Sequence, residues 1–177
     1  MKIHEIIAGL KSRNLDIKSH GQTGIDAALR RMEPARPGPA ATVAFRALAE
    51  AGLDLDRQSS ESLSAWLLIV HTLALARWRH DYRRPVGQGL MAMRLSDNRL
   101  KQLLSADYET LQKLLPRLAR RFERCKEVPG MDFTPLARLA ITASTGSERL
   151  ERARLDIALS YTRFQSESSS TDKRKAS

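Results

Sequence analysis

The chain has 177 residues, 42% of them hydrophobic, which is enough for one buried core or two small lobes and excludes global disorder. Thirty basic residues against 20 acidic ones leave a formal net charge of +10, so the surface asks for a negatively charged partner. A single cysteine, Cys125, excludes an internal disulfide and fits a reducing cytoplasm.

Residues 1–18 carry a weak amphipathic pattern in Ile3, Ile6, Ile7 and Leu10, which predicts a short N-terminal helix. An early acidic residue and the lack of a small-residue cleavage pattern argue against a secretory signal. Residues 20–24 read as a loop, and 25–32 as a helix with Leu29 inward and Arg30 and Arg31 at its end. The run PARPGP at 34–39 cannot continue a helix, because proline lacks the N–H and clashes with the preceding turn. A helix over about 40–51 should stop at Gly52, a typical left-handed C-terminal position.

The helix expected over about 62–80 is apolar nearly all round, which predicts a central element surrounded by other helices. Its longest apolar run, 65–76, is too short to cross a bilayer. Pro85 should force its stop after RWRHDYRRP, and a short helix restarts over 86–93.

Residues 94–125 carry the most information. Ser96 and Asp107 stand just before periodic apolar runs, where their oxygens can cap free N–H groups. In the second run Leu111, Leu115, Leu118 and Phe122 share one helical face. Lys113, Arg117, Arg120, Arg121 and Arg124 share another, a basic stripe roughly 100° wide. Arg94, Arg99 and Lys101 add charge from the preceding helix. Pro116 inside the run predicts a kink. Cys125, on the apolar side, reads as packing.

Pro129 and Gly130 mark a break. Thr134 followed by Pro135 predicts a helix start, with the helix reaching about residue 143, and 148–163 form the last helix. From 165 onward the sequence is polar and predicts a disordered tail. No alternating β-branched run occurs, so the expected fold is all-α, a compact helical bundle. The expected division is an N-terminal extension (1–20), a bundle (21–128), a smaller C-terminal helical lobe (129–164) and the tail (165–177).

Twenty-two of the basic residues are arginine and eight are lysine. The planar guanidinium fork suits phosphate, so the bias favours nucleic acid; a GC-rich genome would produce the same bias. Catalytic and metal-binding patterns are missing: the four histidines have no metal-ligand spacing among themselves or with Cys125. His71 reads as a satisfied core histidine. His80 reads equally as a helix C-cap or as an aid at a phosphate. Gly87-Gln88-Gly89 is a weak fragment of a phosphate loop. The residues argue for binding without chemistry, with neither metal nor cofactor.

The block VGQGLMAMRLSDNRLKQLLSADYETLQKLLPRLARRF, followed by MDFTPLARLA and preceded by ALRRMEP at 28–34, resembles the small subunit of the type I-E CRISPR surveillance complex, Cascade (the CasB family). The likeness spans roughly residues 22–163. Phe133 stands where that family often has tryptophan, and Asp97 where glutamate is common.

The resemblance implies a non-catalytic, all-helical subunit. It would join other Cascade subunits and a second copy of itself beside the guide RNA, the target strand and the displaced DNA strand, with no membrane. Within the matched blocks, the expected nucleic-acid contacts are Arg94, Arg99, Arg117, Arg120 and Arg121, with Arg30 and Arg31 next. A stand-alone helical DNA-binding regulator and a purely structural assembly subunit are the competing readings.

Overall fold

The apolar run at 65–76 becomes the centre of the molecule. A computed structural model describes residues 2–19, 23–36 and 38–175. Its elements are α1 (Ile3–Ser19), α2 (Thr23–Arg31), α3 (Ala40–Glu50), α4 (Ser60–Leu75), α5 (Val86–Ala92), α6 (Asp97–Ser105), α7 (Tyr108–Arg124), α8 (Thr134–Ser144) and α9 (Leu150–Lys175). No strand is present among the described residues, so the fold is all-α. Every residue of α4 from Ala65 to Leu75 is buried, because α2, α3, α7 and α8 pack around it. Helix α1 lies across α3 and α8, burying Ile6, Ile7 and Leu10, and α9 packs on α5, α6 and α8. The core is continuous across the break near 130: Phe122 of α7 meets Phe133 edge to face, with ring centroids 5.7 Å apart.

Sequence and local structure agree at most helix ends. Gly52 follows α3 with φ +93°. Its N–H donates to Ala49 O, and that of Leu53 to Leu48 O (both 2.9 Å), which is the Schellman closure. Asp107 accepts from the Thr110 N–H at 2.8 Å and starts α7. Ser96 is the N-cap residue of α6 without a side-chain cap bond. Helix α7 runs unbroken through Pro116, and Leu111, Leu115, Leu118 and Phe122 are all buried.

Three expectations need correction. The central helix ends at Leu75, well before Pro85, because Arg77 and Trp78 both take left-handed backbone (φ 55° and 57°). Trp78 then turns into the core, where its indole N–H donates to Asp26 at 2.7 Å. His80 is neither a helix cap nor a phosphate ligand: it is 3% exposed, and its Nδ1 accepts the Phe133 N–H at 3.2 Å. Gly87 and Gly89 are buried packing residues of α5 and form no phosphate cradle. A β-carbon on Gly87 would collide with the Ser160 backbone, and one on Gly89 with Met131.

Smaller differences concern boundaries. Of the loop expected at 20–24, residues 20–22 lie outside the described residues, while Thr23 and Gly24 open α2. Helix α8 begins at Thr134, and the Asp132 carboxylate accepts the Thr134 N–H at 2.8 Å. Helix α9 continues past Arg163 to Lys175; of the tail expected at 165–177, residues 176 and 177 lie outside the described residues.

Candidate nucleic-acid interface

Helices α6 and α7 diverge from the 106–107 turn and leave an open groove of about 290 Å³. Leu95, Leu103, Leu114 and Leu118 line it on the apolar side, and Arg99, Gln102, Arg117 and Arg121 on the polar side. Arg117 and Arg121 are one helical turn apart on α7, and Arg99 faces them from α6. Beyond Arg121 lies a second, shallower hollow lined by Arg94, Arg124 and Lys126 together with Glu127. Arg121 borders both, so one basic strip runs from Arg99 to Lys126.

The α5–α6 connection that carries Arg94 is held from two sides. The Tyr161 hydroxyl of α9 donates to the Leu95 carbonyl at 2.6 Å, and the Arg121 guanidinium of α7 donates to the Arg94 carbonyl at 3.1 Å. Burial pushes the Tyr161 phenol up, with the charge of Asp97 adding to it, so it remains a donor. Arg94 itself takes left-handed backbone (φ 51°) in a Schellman closure: its N–H donates to Met91 O and that of Leu95 to Leu90 O. Glycine is the usual residue there. An exposed arginine at this position accepts a backbone cost of about 1–2 kcal/mol, which directs attention to its side chain.

Salt bridges sort the candidate residues. Among the described residues, Arg94, Arg99, Arg117, Arg120 and Arg121 have no carboxylate partner within 4.0 Å, and the same holds for Arg124. Lys113 is paired with Glu109 at 2.9 Å. Arg30 is half-buried beside Glu123 at 3.5 Å, and Arg77 holds the same carboxylate at 2.6 Å. The Arg77 guanidinium, followed by the charges of Arg77, Arg30 and Arg124, keeps Glu123 below the usual carboxylate range despite some burial. Arg31 is exposed and donates to the Ala27 carbonyl of its own helix. Arg120 is exposed, and its charge helps disfavour the imidazolium of His71. The structure therefore brings Arg94, Arg99, Arg117 and Arg121 together. Arg30 and Arg31 stand apart at the end of α2.

Sequence reasoning passed over Gln102 and Lys126. Neither carries a periodic signal, since Gln102 is one more polar residue on a short helix and Lys126 follows the end of α7. Arg124 was legible from its place on the α7 stripe. Arg79, by contrast, looks like part of a basic cluster and serves the fold. Its guanidinium donates to the carbonyls of Phe122 (3.0 Å), Glu123 (3.2 Å), Cys125 (2.9 Å), Pro129 (2.9 Å) and Val128. It also lies 4.6 Å from the Phe122 ring centroid. It closes the C-terminus of α7, whose last carbonyls have no partner within the helix.

The family model for CRISPR-associated protein Cse2 matches residues 26–161, about three quarters of the chain. The chain belongs to the Cse2 family. Membership makes it a subunit of a CRISPR Cascade assembly, in line with the resemblance carried by the 86–122 block. The Cse2 match begins within α2, so α1 lies outside it. No curated protein and no solved structure matched the chain. Among the described residues no helix is long and apolar enough to cross a membrane.

Proposed function

We propose that this Cse2-family chain is a non-catalytic nucleic-acid-binding subunit of a type I-E Cascade complex in antiviral defence. It stabilises the guide RNA–target DNA heteroduplex and the displaced DNA strand, working in the cytoplasm with the other subunits and a second copy of itself. One observation carries the reading: Arg99, Arg117 and Arg121 line one groove that holds no carboxylate, and Arg94 joins them through the adjoining hollow that Arg121 also borders. Opening a duplex against a guide is a nearly balanced exchange, so backbone contacts of this kind can tip it. Such contacts are indifferent to sequence, as the task requires. Arg120 lines neither hollow, and Arg30 and Arg31 lie at the end of α2, where Glu123 already offsets part of the charge of Arg30.

The test replaces Arg99, Arg117 and Arg121 together by glutamine in the assembled complex. The variant complex should bind a duplex target more weakly than the parent while binding a short single-stranded target nearly as well, because only the duplex yields a displaced strand. Equal duplex affinities would exclude these arginines as the strand-holding surface. Failure to assemble would move them to a subunit interface.

A further inference from the structure

The α6–α7 groove is more apolar than a phosphate track requires. Charged rims alone would neutralise a backbone, yet here three guanidiniums surround leucine side chains. One of these, Leu114, is only half-buried. At about 290 Å³ the groove is close to the smallest small-molecule sites, roughly 300 Å³. It is the size of a single flat ring system with its linker, too small for a helix or a duplex. Gln102 adds a carboxamide that can both donate and accept, which fits the mixed edge of a nucleobase.

We infer that this groove seats one unpaired nucleotide of the strand the protein holds. Its base lies over Leu114 and Leu118, Gln102 meets its edge, and its flanking phosphates rest on Arg99, Arg117 and Arg121. The inference rests on the reading of the basic strip as a strand-holding surface and adds a base contact to it. Only an unpaired base enters, so the site distinguishes an opened strand from a closed duplex without reading sequence. Charge complementarity selects this occupant: the lining holds three cations and no carboxylate.

The full-length chain is titrated, at one salt concentration, with two labelled oligomers of about 20 units: oligothymidine and an abasic strand of the same phosphate count. Oligothymidine should bind about fivefold more tightly, the gain expected of one net hydrogen bond to the base edge. Leu114→Gln and Gln102→Ala should each reduce that advantage and leave the salt dependence unchanged. Both positions are at least partly exposed, and circular dichroism confirms that the variants fold. Equal affinity for both strands, with normal salt dependence, would overturn the seat and leave the basic strip standing. Salt-dependent binding of neither strand would remove the strip as well. An advantage retained in both variants would place the base elsewhere and overturn the inference. So would displacement of oligothymidine by an acidic leucine-containing peptide at lower concentration than by unlabelled oligothymidine.

Discussion

Gly87 of α5 and Ser160 of α9 touch backbone to backbone. The Gly87 N–H donates to the Ser160 hydroxyl at 2.9 Å. A β-carbon at Gly87 would lie 2.7 Å from the Tyr161 nitrogen and closer still to the Ser160 carbonyl. Pro85 precedes α5 and offers no side-chain cap, so a serine from another helix satisfies one of its free N–H groups. Because α9 also delivers Tyr161 to the Leu95 carbonyl, this contact sets the position of the loop bearing Arg94.

Gly87→Ala forces α5 and α9 apart. The expected loss is about 3 kcal/mol, or a fall of roughly 6–12 °C in melting temperature for a chain of this size. Ser160→Ala, which removes the cap and leaves the packing, should cost about 1 kcal/mol. Thermal unfolding of both variants checks the order, and a neutral Gly87→Ala would contradict the close crossing.

Arg79→Lys keeps the charge and loses the fork that reaches five carbonyls. Lysine cannot reproduce that planar donor set, so the substitution should cost about 2 kcal/mol without changing nucleic-acid affinity per folded molecule. Chemical denaturation together with a binding titration separates the two effects.

Arg94→Gly should exchange affinity for stability. Glycine relieves the left-handed backbone, worth about 1 kcal/mol, while removing a cation from the basic strip. Arg77→Gly relieves the same strain but loses the Arg77 bond to Glu123 at 2.6 Å, so it should gain less or become destabilising. A lower melting temperature for Arg94→Gly than for the parent would count against the assignment.

Binding of single strands should follow a log–log salt slope of roughly −3.5 for about five phosphates. With Arg99, Arg117 and Arg121 replaced, the slope should flatten to roughly −1.4. An unchanged slope would show that the phosphates lie elsewhere.

Stability should fall on mild acidification. Burial lowers the His71 and His80 pKa values. The Leu29 carbonyl opposes this at His71 while Arg120 adds to it. At His80, Asp132 and Asp81 oppose it while Lys11 and His4 add to it. The two rings hold opposite tautomers: His71 Nδ1–H donates to the Leu29 carbonyl at 2.9 Å, and His80 Nδ1 accepts from Phe133. Both folded pKa values lie below the ordinary 6.5, so the folded state binds fewer protons than the unfolded chain. Stability is therefore full above about pH 6.5 and is lost as pH falls through the lowered values. His80→Asn keeps an acceptor without a titrating ring and should flatten the decline between about pH 7 and 5. A profile that is flat in the parent would refute this.

The all-helical fold, the buried α4 and the two faces of α7 were written in the sequence. Each rests on side chains three and four positions apart, and that spacing is local. The end of α3 was equally legible, because glycine marks a left-handed residue by its own chemistry. The end of α4 was hidden: Arg77 and Trp78 are ordinary helix residues, and they leave the helix because Asp26 and Glu123, distant in the chain, receive their side chains. The same limit divides the arginines. Alike in one dimension, Arg79 closes a helix, Arg30 meets Glu123, and Arg94, Arg99, Arg117 and Arg121 stand around two hollows without a carboxylate partner. An arginine's role depends on which carbonyls and carboxylates come within reach of its fork, and only the packing of α2, α4, α6 and α7 decides that.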